Sequence, residues 1–404
     1  MMRNVNKPLS SDREKLNHGK SVAIVFFGLF IYSGIIGNLP IISTLPVDFG
    51  VICITISFGY SLVMFARNKK SHMPVFFVLL FIFLTLPSIV FNSSIGFDKY
   101  LVTIGLVVSM AFIGTRILDD EQSLALFLKT LEVLGFIIAL QTITFGVTSS
   151  NFRVRLYGAN PIWLSRAISF FPYWLVVLLL NGKIGALRFT FAILPALYAM
   201  ILTGSKGPLL SLAIAIIILI LRNIDVSSIS KRGILVTYLI VPLLLLGTIF
   251  LKSRLPVEIV DQFVGFITGG RQDLARRYLF NRALELTLDN PFGIGPGKFE
   301  QYEPIFRYPH NLVLEALVEL GWLFGLFLVL MVTYTFLLLF RNAKDNFILQ
   351  ALMGFYTIAV VNSMFSGDIT SPKEIYIVIP LVLYYVRKSG VLRSSDDILL
   401  VGAI

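Results

Sequence analysis

One histidine, His310, stands at the mouth of a long apolar run, in Arg307-Tyr-Pro-His-Asn-Leu-Val-Leu-Glu315-Ala-Leu-Val-Glu319-Leu-Gly321. The other two histidines, His18 and His72, lie in basic segments. An imidazole has a pKa of about 6.5, so a small shift sets its charge at neutral pH. In the neutral form it can take the proton of an attacking hydroxyl. It can equally cap the helix that follows or bond a loop carbonyl. Asn311, Glu315 and Glu319 recur at i, i+4, i+8 and share one helix face. The two acids sit about one and two turns into the apolar run, a depth at which carboxylates face a bundle interior or a watery cavity. They are candidates to orient His310, to pair with arginines, or to form a purely structural pair.

A second set of residues suits phosphate. Arg153, Arg155, Arg166, Lys206, Arg271 and Arg307 are basic residues in or beside polar segments. The guanidinium fork matches phosphate oxygens, and negative charge is best met by donors already in place. Arg166 lies inside an apolar run, about one turn past Pro161. The alternative for each is snorkelling to lipid headgroups. Arg276 and Arg277 match no motif and are not counted in this set.

The elements that must position these groups are membrane helices. Hydrophobic residues make up 56% of the chain and charged residues 14%, against about 25% charged in a soluble domain. Apolar runs near the roughly 20-residue spanning length recur throughout. They predict an all-α polytopic bundle of about twelve spans, at 20–38, 47–66, 73–91, 98–116, 123–146, 161–181, 186–203, 207–222, 233–251, 310–340, 346–366 and 372–387. Transmembrane barrels would show alternating segments of about ten residues instead. Nineteen Lys/Arg fall in or beside the short loops of one side, while the other side holds Arg153, Arg155 and Lys206, with Lys99 and Lys373 at span ends. Both termini are therefore expected in the cytoplasm. The net charge of +11 follows from this loop bias and does not indicate nucleic acid. Cys53, the single cysteine, excludes an internal disulfide.

The segment 252–309 is the exception on the outer side, with eight basic and seven acidic residues. Long loops translocate despite their charge. Pro256 can start a helix with Ile259, Phe263 and Ile267 on one face. A second helix is expected from Gln272 to Leu288, with Ala275, Leu279, Ala283 and Leu286 at helical spacing and a stop at Asn290-Pro291. Such a loop is expected to be a lid or binding loop, or a helical cover lying in the interface. Gly293-Ile-Gly295-Pro-Gly297 is expected to be a turn, because no strand precedes it. Gly321 and Gly325 form a small-xxx-small pair, expected to let helices pack closely. No outer loop shows two acids spaced for a metal, apart from scattered acids in the long loop.

Four blocks in order carry a family resemblance. They are Arg155-Leu-Tyr-Gly-Ala-Asn160-Pro161, then Leu202-Thr-Gly-Ser-Lys206-Gly207, then Gly269-Gly-Arg271 with Asn290-Pro-Phe-Gly-Ile-Gly295-Pro-Gly297, and last Pro309-His310-Asn311 with Glu319-Leu-Gly321 and Gly325. Together they resemble the O-antigen ligase/O-antigen polymerase superfamily of bacterial envelope glycosyltransferases, over roughly residues 150–330. Two departures stand out. The second block has Ser205-Lys206-Gly207 where the family has Ser-Arg-Gly, and lysine keeps the charge without the fork. Tyr278 stands near where the family carries a Trp.

The resemblance implies a C-type glycosyltransferase fold in the bacterial inner membrane. It implies transfer of a glycan from an undecaprenyl-diphosphate carrier to a sugar hydroxyl, with His310 as the base, assisted by Glu319. Arg153, Arg155, Arg166, Lys206, Arg271, Arg307, Asn311 and Glu315 would bind substrate. No nucleotide sugar, cofactor or metal is implied, and a chain-length regulator is an implied partner. The departures favour a surface-polysaccharide polymerase over a ligase to lipid A-core. A rival of another class is a flippase or transporter for lipid-linked sugars, which would predict internal repeats and charges through several spans.

Overall fold

The apolar runs become helices because a backbone in lipid must satisfy its own hydrogen bonds. The computed structural model describes residues 17–67, 72–92, 96–149, 153–223, 271–344 and 346–388. In chain order the helices are α1 (His18–Ile31), the one-turn α2 (Ser33–Ile36), α3 (Phe49–Arg67), α4 (Met73–Val90), α5 (Phe97–Arg116), α6 (Glu121–Phe145) and α7 (Pro161–Leu180). Then come α8 (Ala186–Leu202), α9 (Lys206–Asn223), α10 (Arg271–Asp289), the short α11 (Phe299–Tyr302), α12 (Leu312–Asn342), α13 (Phe347–Ser363) and α14 (Lys373–Lys388). A two-residue hairpin pairs β1 (Val147–Thr148) with β2 (Val154–Arg155) between α6 and α7.

Side-chain caps set several starts. Asn17, Asp120, Asn160, Asn311 and Asn346 each accept a backbone N–H of the helix that follows. Pro161 takes the first position of α7, where its missing N–H costs nothing.

The chain is an all-α, multi-pass membrane protein. Among the described residues, seven helices are long and apolar enough to span: α3, α4, α5, α6, α7, α9 and α12. The apolar helices α1, α8 and α13 are shorter. The sequence counts about twelve spans; of these, 233–251 lies outside the described residues, as do the Pro256 helix and both chain termini. Helices α7 and α13 are buried almost all round and form the centre. Phe76, Leu79 and Phe83 of α4 point outward, as lipid-facing side chains do.

Two expected spans are not single straight helices. The run 20–38 divides at Tyr32 into α1 and α2. The run 310–340 is broken at Gly321, whose φ of 86° and ψ of 173° are not helical. In a straight helix, residues 317 and 325 would lie about 12 Å apart. Here a Cβ placed on Gly325 would come within 3.1 Å of the Leu317 Cα, so the front of α12 bends sharply against its back.

Contacts sort the loops to two ends. At one end, Gly96 N donates to Pro296 O, Asn92 to Gly293 O, Arg153 to Thr203 O, and Asn311 to Met364 O. At the other, Lys20 pairs with Asp119 and Asp120, Arg222 donates to the carbonyls of Phe340 and Arg341, and Gln350 joins Asn181 to Asn223.

Candidate active site

The first two blocks are tied by one arginine. In the first, Tyr157 (φ 49°) and Gly158 (φ 79°) turn the chain, Ala159 N closes the turn onto Leu156 O at 2.9 Å, and Asn160 caps α7. In the second, Gly204 (φ 60°) ends α8 and Lys206 starts α9. Arg153 lies just upstream of β2 and reaches this stop. Its Nε donates to Thr203 O at 2.9 Å and its Nη2 to Ser205 Oγ at 2.7 Å. Burial, then the charges of Arg155 and Arg276, holds its pKa below the usual arginine value. Repulsion of this kind marks a place where cations gather and an anion would be stabilised.

The third and fourth blocks meet at the break in α12. A helix break frees carbonyls on one side and an N–H on the other. The Gly-rich loop supplies the partners: Ile294 N donates to Val318 O at 2.8 Å, Gly295 N to Glu319 O at 3.1 Å, and Trp322 N to Pro291 O at 2.9 Å. Ser88 Oγ of α4 also donates to Glu319 O, at 2.6 Å. The fit leaves no room for side chains. A Cβ on Gly321 would lie 2.6 Å from the Phe292 carbonyl carbon, and one on Gly293 2.5 Å from Glu319 O. The expected turn at 293–297 is therefore a backbone plug for a broken membrane helix. Gly321 packs closely against this loop rather than against a second helix.

Leu279, Ala283 and Leu286 of α10 pack with Ile294, Phe299 and Val318 in a small core beneath the plug. Trp322 Nε1 donates to Thr287 O at 2.8 Å, and Tyr278 Oη to Glu303 Oε2 at 2.8 Å. Tyr278, which stands near the family's Trp position, thus ties α10 to the segment beyond α11.

Glu315 and Glu319 share one face and one partner. Lys99 Nζ of α5 lies 2.5 Å from Glu315 Oε1 and 3.0 Å from both oxygens of Glu319. Glu319 also accepts from Gly297 N at 2.9 Å and Phe299 N at 3.4 Å. Both carboxylates are buried. Among the described residues the acids thus pair with a lysine and not with the arginines, and Glu319 carries the plug as well. Buried charge in an apolar setting persists only when paired in this way.

Asn311, not His310, caps α12. Its Oδ1 accepts from Val313 N and Leu314 N, and its Nδ2 donates to Met364 O at 3.3 Å. Both ends of its amide are therefore engaged within the protein. His310 precedes the cap with φ 58°, a left-handed conformation uncommon outside glycine and kept where surroundings over-determine it. The ring is half-buried and meets Tyr308 edge-on at 4.5 Å between centroids. Burial first, then the charge of Arg276, lowers its pKa, and Asp368 opposes them. The shift favours the neutral imidazole at pH 7, the form that accepts a proton.

The structure separates the expected residues into groups. Arg153 is joined to the second block, and the charge of Arg276 reaches both Arg153 and His310. Arg155 is exposed on β2, and Lys206 opens α9. Arg271 is the first residue of α10. Arg307 lines a cavity of about 470 Å³ with Lys99, Tyr308, Asp368 and Thr370. Arg166 is elsewhere, paired with Glu374 at 2.8 Å in a smaller cavity. Thr370 lines both cavities. Sequence reasoning missed Arg276, Lys99 and Asp368. Lys99 carried a partial signal, because two deep acids need a cation and it stands at a span end. Arg276 and Asp368 carried none.

No curated protein matches the chain. The model of the O-antigen ligase family matches residues 191–330, a stretch that holds the second, third and fourth blocks. Members of that family are glycosyltransferase-like enzymes. The match agrees with the resemblance to the O-antigen ligase/polymerase superfamily that the ordered motifs carry, and it is confined to this stretch of the chain.

Proposed function

We propose that the protein transfers a glycan from an undecaprenyl-diphosphate donor to a sugar hydroxyl of a lipid-linked acceptor, as a surface-polysaccharide polymerase. The observation that carries this reading is a half-buried histidine with a lowered pKa at the start of α12, at the same end of the bundle where Arg153 binds the second block. His310 takes the proton of the acceptor hydroxyl as its oxygen bonds the anomeric carbon. The bond from that carbon to the diphosphate oxygen breaks, and the diphosphate leaves with the electron pair. Direct displacement inverts the anomeric carbon. Arg153, Arg155, Lys206, Arg271 and Arg307 hold the diphosphate, joined by Arg276, whose charge acts on both His310 and Arg153. Asn311, Glu315 and Glu319 act through the backbone they fix, and Lys99 keeps the two acids in place.

The end that carries His310 faces away from the cytoplasm in the bacterial inner membrane, and both termini face the cytoplasm. The loop-charge bias supports this orientation. A ligase to lipid A-core is the second reading, because the matched family is named for ligation. Purified protein given a defined lipid-linked oligosaccharide separates the two. A ladder of products supports polymerisation. A single transfer to a lipid A-core acceptor, with no ladder, replaces it with ligation. Flipping of the lipid-linked sugar without bond formation would overturn both.

A further inference from the structure

The smaller cavity, about 210 Å³, lies between α1–α2, the first turns of α7 and the start of α14. Its walls are apolar at Ile31, Ile35 and Ala167, and Trp163 stands at its side, 45% exposed. Two hydrogen-bond donors on its lining have no partner among the described residues: the Tyr32 hydroxyl and Arg166 Nε. Tyr32 is only 4% exposed. Leaving such groups unmatched is costly, and each in a native fold calls for an explanation.

The charges of the site favour an anion. Arg166 is offset by Glu374 at 2.8 Å. Lys373 Nζ, from the same wall, donates to Phe30 O and Ser33 Oγ at 3.0 Å each and lies 4.0 Å over the Phe30 ring. None of these partners carries a charge. Asp48 is near but exposed, so solvent screens it. The lining thus sets two cations, Arg166 and Lys373, against one carboxylate, Glu374, which acts on both, beside two idle donors. An exposed tryptophan next to a cationic pocket at a helix end is the setting of a lipid headgroup.

We propose that this cavity binds a phosphate group carried by a lipid, at a site separate from the Arg307 cavity and meeting it at Thr370. The inference goes beyond the transfer reading and stands without it, since no residue of the proposed reaction is needed to hold this phosphate.

The test uses the full chain purified in detergent, with farnesyl phosphate as the lipid probe, inorganic phosphate as the soluble one, and farnesol as the uncharged control. Binding is read by native mass spectrometry and by the shift in melting temperature. Farnesyl phosphate should bind saturably and raise the melting temperature. Tyr32→Phe removes only an unpartnered hydroxyl, so the empty protein should fold as well as the parent while affinity falls roughly tenfold. Arg166→Gln should lose more, and the double variant R166Q/E374Q controls for the broken ion pair. Weak binding of inorganic phosphate assigns the group to a lipid. Equal binding of both phosphates keeps the phosphate site but assigns it to free phosphate. Farnesol binding as tightly as farnesyl phosphate, or Tyr32→Phe and R166Q/E374Q binding unchanged, overturns the proposal.

Discussion

Lys99→Met isolates the charge that holds the front of α12. Lys99 contacts Glu315 at 2.5 Å and Glu319 at 3.0 Å, and both acids are at most 1% exposed. Removing the cation leaves two carboxylates with no neutralising partner in an apolar wall. Breaking a buried pair in this way costs about 3–5 kcal/mol. With an unfolding entropy of about 2.1 cal/mol/K per residue over this chain, the loss lowers the melting temperature by about 4–6 °C. Cys53 is the single cysteine and is fully buried, so a thiol-reactive fluorophore reports unfolding directly. Glu319→Gln should cost less, because Lys99 keeps Glu315. The triple variant K99M/E315Q/E319Q should recover most of the loss, since no buried charge remains. A Lys99→Met protein that melts with the parent, or a triple variant no better than the single, would refute this account of the front helix.

Gly321→Ala should destabilise by about 3–5 kcal/mol, from a backbone region almost reserved for glycine and the displaced plug bonds. Gly325→Ala, which first meets the side chain of Leu317, should cost clearly less in the same melting assay. The pH dependence of kcat/KM reports His310. A histidine with a lowered pKa works above that pKa and fails as pH falls through it, so the acid limb should lie below pH 6.5. Arg276→Gln removes a repelling cation and should move the limb upward, while Asp368→Asn should move it further down. A limb unmoved by both substitutions would detach His310 from the reaction. Transfer should persist in excess EDTA, because side chains supply the base and the charge stabilisation. Loss on chelation with rescue by magnesium or manganese would point to a metal-dependent oligosaccharyltransferase.

The helices were legible because apolar run length is a local signal, and local caps were there to be read as well. Asn160, Asn311 and Asn346 each stand one residue before the helix they cap. The break in α12 was not legible. A glycine within an apolar run ordinarily marks close helix packing, and only the distant Pro291–Gly295 backbone makes Gly321 a break. The spacing of Glu315 and Glu319 showed a shared face, but their partner lies more than 200 residues away. Arg166 shows the opposite case. Its depth in a span marked it out, yet the fold sends it to a second cavity. Arg276 matched no motif, and only packing of α10 brings its charge to His310 and Arg153.

Transfer by a His310 variant, measured with a lipid-linked donor and a hydroxyl acceptor, tests the central claim most directly. Asparagine is the replacement of choice, because it tolerates the left-handed backbone that His310 adopts. His310→Asn should melt with the parent, bind donor as the parent does, and lose about 10²–10⁴ in the rate of transfer. Product at a near-parental rate from this folded, donor-binding variant would contradict the assignment of His310 as the base.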